Sequence, residues 1–256
     1  MAYWKDTWRF HGSNEYEYKF AGNYGAKGEC RRKKEKPTSD QIEWQNRYNK
    51  TNRIRREIKA NFREDDHWER LSYERGTRKP MHEVKADFRK FADKLRKKYR
   101  ELGAELKWMR IIEIGKRGGI HVHALINRIP GADTDVLISK CWEHGYVSHT
   151  NIYNSGGYQG LAEYMAKLPD EETRKKKGLP EKLSKDEYNY STSRNLIRPE
   201  PERKTYYRWT MRKILRDGPK PTPGYYIDKN TIKQGFNRYT GYSYLRYTEI
   251  KLDRRI

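Results

Sequence analysis

Cysteine is almost missing from this chain: Cys30 and Cys141 are far apart and are the two it has. That argues against a disulfide-stapled scaffold and against a thiolate-rich structural zinc site, and it makes a reducing cytoplasm the expected compartment. No run of about 18 apolar residues occurs, and no apolar stretch near residue 1 reads as a signal peptide, so a membrane is not an expected partner. A GxxxxGK(S/T) sequence is also missing, which leaves no recognisable P-loop helicase in this sequence. Negative charge is scarce as well. Against 35 Asp and Glu stand 57 Lys and Arg, a formal net charge of +22 with neutral histidines. An excess of that size goes beyond what solubility needs and makes a polyanion the natural partner. The basic residues alternate with Tyr and Trp, as they do in grooves that hold nucleic acid; tyrosine alone occurs 21 times.

What is present reads as one main core with extensions, which is what 256 residues can bury. Residues 1–66 are expected to form a basic N-terminal extension. It holds a solvated loop, "CRRKKEKPTSD", and a helix in "QIEWQNRYNKTNRIRREIKANF", where Ile54 and Ile58 lie one turn apart. Residues 67–170 carry the ordered pattern. A strand at Trp68 to Tyr73 precedes a helix in "MHEVKADFRKFADKLRKKYRELG", where Val84, Phe88, Phe91, Leu95 and Leu102 recur near helical spacing before Gly103. "LKWMRIIEI" and "IHVHALIN" flank the turn "GKRGG" as an antiparallel hairpin. A helix in "ADTDVLISKCWEHG", a strand in "YVSHTNIY" and a helix in "YQGLAEYMAKL" follow. The order predicts an α+β fold, an antiparallel sheet with helices on its faces in a ferredoxin or RNA-recognition-motif-like layout with one added helix. Residues 171–256 read as a basic linker and Tyr-rich C-terminal extension. The charged connection "DEETRKKKGLPEKLSKDE" leads into it, "YYRWTMRKILRDG" is its helical candidate, and one or two strands are expected toward its end.

The candidate chemistry sits in "GKRGGIHVHALIN", residues 115–127. A strand repeats its side-chain direction every second residue, so His121 and His123 share a face while Val122 and Ala124 take the other. Glu113, on the preceding strand, has the parity to return toward that pair. Two imidazoles and one carboxylate suit Mg2+, Mn2+ or another hard to borderline divalent ion. The plainer alternative is that Glu113 is simply paired by Arg110 or a lysine. Further on, Tyr164 and Lys167 are three apart in a predicted helix and so share a side. Such a pair can be a snorkelling core-edge contact. Beside a divalent ion, though, a tyrosine has the chemistry to attack a phosphodiester and release a 3′ hydroxyl. Lys167 would then favour the phenolate, neutralise phosphate or help place the metal.

"IHVHALI" together with "EYMAK" resembles the HUH endonuclease superfamily: the rolling-circle replication initiator (Rep) proteins of plasmids, phages and small circular single-stranded DNA genomes, with relaxases and related transposases. The resemblance spans about residues 67–200 and rests on the order and spacing of its motifs. It implies that His121 and His123 bind the divalent metal, with Glu113 as the acidic third ligand that precedes the pair in several viral-type Reps. It also implies a single-tyrosine Tyr-x-x-Lys motif with Tyr164 as nucleophile and Lys167 as its companion. "WERLSYERG" stands where the family has its first strand-borne DNA-contact motif, as a poor match, and "STSRNLIRP" at residues 191–199 resembles a segment found after the tyrosine motif. Tyr158 lies six residues before Tyr164, about 120 degrees around a helix, so a two-tyrosine arrangement would need the helix to start after it.

The function so implied is sequence-specific nicking and joining of single-stranded DNA through a 5′-phosphotyrosine, starting rolling-circle replication. The expected partners are single-stranded or hairpin origin DNA together with a host helicase and replication proteins. Three rivals stand beside it: an HUH-type transposase or relaxase-like nickase, a metal-dependent nuclease that uses water, and a non-enzymatic RNA- or DNA-binding module. The last accounts for the charge and the sheet order, but not for Glu113, His121, His123, Tyr164 and Lys167 occurring together.

Overall fold

A computed structural model describes residues 3–21, 31–115, 119–153, 155–167, 190–207 and 211–252. The chain forms two units, residues 47–198 in one and residues 1–46 with 199–256 in the other. Among the described residues, no helix is long and apolar enough to cross a membrane.

The 47–198 unit is built on a five-stranded antiparallel sheet. Its strands are β3 (His67–Ser72), β4 (Trp108–Ile114), β5 (Ile120–Ile126), β6 (Val147–Asn151) and the short β7 (Ser191–Thr192), in the order β6-β3-β5-β4-β7. Helices cover both faces. On one lie α2 (Met81–Glu101) and α3 (Thr134–Cys141), and Val84, Phe88, Leu95 and Ile138 pack there against Leu71, Ile112, Val122 and Ala124. On the other lie α1 (Ser39–Asn61) and α4 (Gln159–Ala166), where Ile54, Ile58, Ala162 and Met165 meet Met109 and Leu125. The split follows from strand parity: Val122 and Ala124 turn to the first face, Leu125 to the second.

Local chemistry marks the helix ends. Thr38 and Gln41 cap α1 reciprocally, the Gln41 N–H donating to Thr38 Oγ1 and the Thr38 N–H to Gln41 Oε1. At the other end of α2, Gly103 takes φ +68°, a conformation most side chains resist, and its N–H closes on the Arg100 carbonyl.

This arrangement gives an expected stability result. Leu95 is fully buried on the sheet side of α2. Leu95→Ala should lower the unfolding free energy by about 2–5 kcal/mol in a urea titration. Lys97→Ala, on the exposed side of the same helix, should stay within about 0.5 kcal/mol of the parent.

The other unit replaces the expected extensions with a second antiparallel sheet. It contains β1 (Tyr3–Arg9), β2 (Ser13–Phe20), β8 (Glu202–Tyr206), β9 (Tyr225–Phe236) and β10 (Ser243–Lys251), ordered β8-β1-β2-β10-β9. A short helix, α5 (Arg212–Asp217), lies within it. Tyrosines build much of its core: the Tyr16 and Tyr247 rings stack at 4.9 Å and Tyr3 is fully buried. Fully buried Asp6 is held by Arg203 at 2.6 and 2.8 Å and by Lys19 at 2.8 Å. The boundaries expected at 66 and 170 thus differ from those of the folded units. The strands near both ends of the sequence pair with one another, and only pairing across some 200 residues reveals them. The charged connection expected at 170–187 lies outside the described residues, as do Cys30 and residues 208–210 of the helical candidate.

Candidate active site

β4 and β5 form the expected hairpin, with the Gly115 N–H donating to the Gly119 carbonyl at 2.7 Å; the turn residues 116–118 lie outside the described ones. The register sets Glu113 opposite His121 and Ile111 opposite His123. On the other flank of β5, Arg70 is opposite His123 and Ser72 opposite His121. All of these side chains share the face covered by α1 and α4.

α4 brings Tyr164 onto that face. Its hydroxyl donates a short hydrogen bond to Glu113 Oε2. The same oxygen stands 3.4 Å from His123 Nε2. Trp68 of β3 walls the group, stacked on His123 at 5.5 Å between ring centroids and edge-on to Tyr164 at 5.8 Å. His121 lies beside them, with Arg70 Nη2 2.9 Å from its Nε2 and Ser72 Oγ 3.4 Å from its Nδ1. Thus Glu113, His121, His123 and Tyr164 are neighbours, although their elements span more than fifty residues of sequence.

Two expectations change. Glu113 is not paired by Arg110, which points to the opposite face and lies 5.0 Å over the Phe88 ring. The Glu113 side chain is also 46% exposed, so solvent meets part of the demand that burial would have made. Nor does Lys167 share a helix side with Tyr164. The helix stops at Ala166, and Lys167 is an exposed C-cap with extended backbone, φ −63° and ψ 132°. The sequence offers a reason, since Pro169 has no N–H with which to continue the ladder. The cation that faces Tyr164 is Arg70, whose charge opposes the upward shift of the phenol's pKa.

Tyr158 is a core residue. It caps α4 at φ +63°, is 6% exposed and packs in the cluster that holds Ile54, Ile58 and Met165, where burial pushes its phenol up to about 12.

Burial, partly opposed by Glu113, lowers the His123 pKa and favours the neutral imidazole that a metal requires. Its Nδ1 is buried without a hydrogen-bond partner. Burial first, and the hydrogen bond to Glu113 next, raise the Tyr164 pKa and keep the phenol protonated. A carboxylate and two imidazoles on one face, two of them 3.4 Å apart, fit a divalent cation by donor chemistry.

A second candidate metal-coordinating cluster lies on the other face of the sheet. Ligand atoms of His67, Glu69 and His149 there stand within 4.8 Å of one another.

With both faces of the sheet described, the comparison with known families is specific about this unit. Residues 67–169 match the family model of replication-associated protein ORF2. Over that part of its length the chain carries a replication-associated, HUH/Rep-like domain. The match runs from β3 through α4 and so includes every site residue from His67 to Lys167. No curated protein and no solved structure matches the chain.

Within the replication-associated domain, the sequence reading missed Trp68, Arg70 and Ser72 as site residues. Period-two alternation in "HWERLS" carries the signal, but only the pairing of β3 with β5 shows which of its faces meets the histidines.

Proposed function

We propose that the replication-associated domain is a nickase and strand transferase that cuts and rejoins single-stranded or hairpin origin DNA to start rolling-circle replication. The observation that carries this reading is the hydrogen bond from Tyr164 to Glu113, which stands 3.4 Å from His123. It joins a nucleophile, a proton acceptor and metal-ligand chemistry in one place. The strand order β6-β3-β5-β4 around a β-α-β-β-α-β chain supports the ferredoxin-type layout expected of such a nuclease core.

In this reading Glu113, His121 and His123 hold Mg2+ or Mn2+, which when bound supplies Lewis-acid relief of the charge developing on the phosphoryl oxygens. Tyr164 Oη bonds to phosphorus and the P–O3′ bond breaks. The phenol proton leaves toward Glu113, and the departing 3′ oxygen takes a proton from solvent. Arg70 faces the phosphate with a fixed positive charge, the role the sequence suggested for Lys167. Trp68 keeps the His123 and Tyr164 rings in place. Because the phosphotyrosine conserves the phosphodiester energy, a 3′ hydroxyl can reverse the step, and one site serves both cutting and joining. Unwinding falls to a host helicase, since no P-loop motif occurs in this sequence.

Affinity has a candidate surface of its own. A cleft of about 780 Å³ between α2 and the β4–β7 edge is lined by Lys85, Arg89, Arg96, Arg100, Arg110 and Arg194. Arg110 is 8% exposed and its Nε has no hydrogen-bond partner; burial lowers its pKa to about 10, so it stays cationic at neutral pH. Phosphates passing through this cleft would meet several cations on a rigid wall. DNA affinity should therefore fall steeply with salt, with a log-log slope of about −0.7 for each single-strand phosphate neutralised. Arg89→Ala combined with Arg194→Ala should make that slope shallower by about 1 to 1.5 in a fluorescence-anisotropy titration. An unchanged slope would move the DNA path away from the cleft.

The test of the activity is to incubate the full chain with labelled hairpin-bearing single-stranded DNA and Mn2+, then denature it. A labelled band that survives denaturation and disappears on protease treatment is the expected product. Efficient cutting without any such band would favour the water-using nuclease.

A further inference from the structure

The face of β3 turned away from Tyr164 carries His67 and Glu69, and the register sets His149 of the edge strand β6 directly opposite Glu69. His67 is 1% exposed and Glu69 is fully buried. Nδ1 of His67 lies 3.3 Å from Glu69 Oε1, and Nδ1 of His149 lies 2.6 Å from Glu69 Oε2.

An ion pair is the plain reading of such distances, and it predicts N–H groups aimed at the carboxylate. The geometry differs. Both Glu69 oxygens and both His67 nitrogens are buried with no hydrogen-bond partner. A buried carboxylate beside a buried imidazole, close together yet not hydrogen-bonded, is costly unless something else satisfies both. Atoms that approach without N–H···O alignment are arranged as ligands around a shared cation are. Three ligands about 2.1 Å from a tetrahedral ion would lie roughly 3.4 Å apart, close to the 3.3 Å between His67 and Glu69. The outer support is there as well. Ser139 Oγ of α3 stands 2.9 Å from His149 Nε2, which fixes the ring and leaves Nδ1 to face Glu69.

We propose that His67, Glu69 and His149 form a second divalent-metal site, selective for a borderline ion of the zinc type, that clamps edge strand β6 to β3. Two imidazoles and one carboxylate are a zinc donor set, and burial of two of the three ligands favours a retained ion over one exchanging with each DNA substrate. The site lies across the sheet from Glu113, His121 and His123 and does not depend on what those residues do. Its consequence reaches them through the backbone: alternate residues of the clamped strand are Trp68 and Arg70.

The experiment uses the full chain carrying His121→Ala and His123→Ala, which silences the first face. After loading with Zn2+ and gel filtration, one equivalent of zinc should remain, and Co2+ in its place should give visible d–d bands. The melting temperature should rise by roughly 5 °C or more at saturating Zn2+. Adding His149→Ala, a change at a partly exposed edge-strand residue, should remove the retained zinc, the bands and the thermal shift together, with circular dichroism confirming the fold. Glu69→Gln is the companion variant; it keeps the side-chain shape and should also lose the ion. Absence of retained zinc and of any thermal shift in the parent double variant would overturn the proposal. So would zinc uptake that neither His149→Ala nor Glu69→Gln reduces, which would assign the ion to other histidines.

Discussion

Tyr164→Phe should abolish the covalent protein–DNA adduct while leaving DNA affinity within about twofold of the parent. The phenol is one hydroxyl among many polar groups on a strongly basic surface, and affinity for a polyanion is spread over phosphate contacts. Its ring, edge-on to Trp68 and His123, remains in the variant, so packing changes little. What disappears is the atom that bonds to phosphorus and the hydrogen bond to Glu113. Removing a covalent nucleophile is expected to lower the rate by at least about 10³-fold. Tyr158→Phe gives the contrast. That ring lies in the core, and the adduct should form at close to the parental rate. Peptide mapping of a nuclease-trimmed adduct identifies the linked residue, and a nucleotide found on Tyr158 would overturn the assignment.

His123→Ala should be nearly as damaging, by a different route. Glu113 loses the imidazole 3.4 Å away and Trp68 loses its stacking partner. Loss of one of three ligands should weaken the metal requirement's half-saturation point by at least about 10–100-fold, the scale seen even for outer-shell partners. Nicking at limiting Mn2+ should therefore vanish, with partial recovery at high Mn2+, while binding of uncut DNA persists. His121→Ala should behave similarly, and Arg70→Ala should slow adduct formation at saturating metal. Titrating Mn2+ against the nicking rate separates these effects. If both histidine variants kept the parental rate at every Mn2+ concentration, neither imidazole would be a ligand.

The core of the 47–198 unit was legible because each of its elements announces itself locally. Val84, Phe88, Phe91 and Leu95 mark α2, and the alternation around His121 and His123 marks β5 and the face those histidines take. Glu113 could be placed because its partner strand follows after one turn, so parity carries across the hairpin. Lys167 was misplaced for the converse reason: a helix end is decided by the competition between one more hydrogen bond and the chain that follows, which spacing does not register. The N-terminal strands were missed because buried Asp6 and Glu15 interrupt their apolar pattern, and the guanidinium that neutralises Asp6 comes from position 203. His67, Glu69 and His149 escaped notice likewise. Some eighty residues separate the first from the last, and their meeting follows from the β3–β6 pairing.

That long-range pairing also imposes a timetable on synthesis. β2 hydrogen-bonds to β10, and at about 5–20 residues per second the ribosome needs on the order of 10–45 s to travel from one to the other. Residues 47–198 emerge in between and contain all the strands of their own sheet. The replication-associated domain can thus finish folding on the ribosome while the β1–β2 hairpin still waits with one edge unpaired. That edge strand carries Glu15, Glu17 and Lys19, charges of the kind that discourage neighbouring nascent chains from adding a strand during the wait.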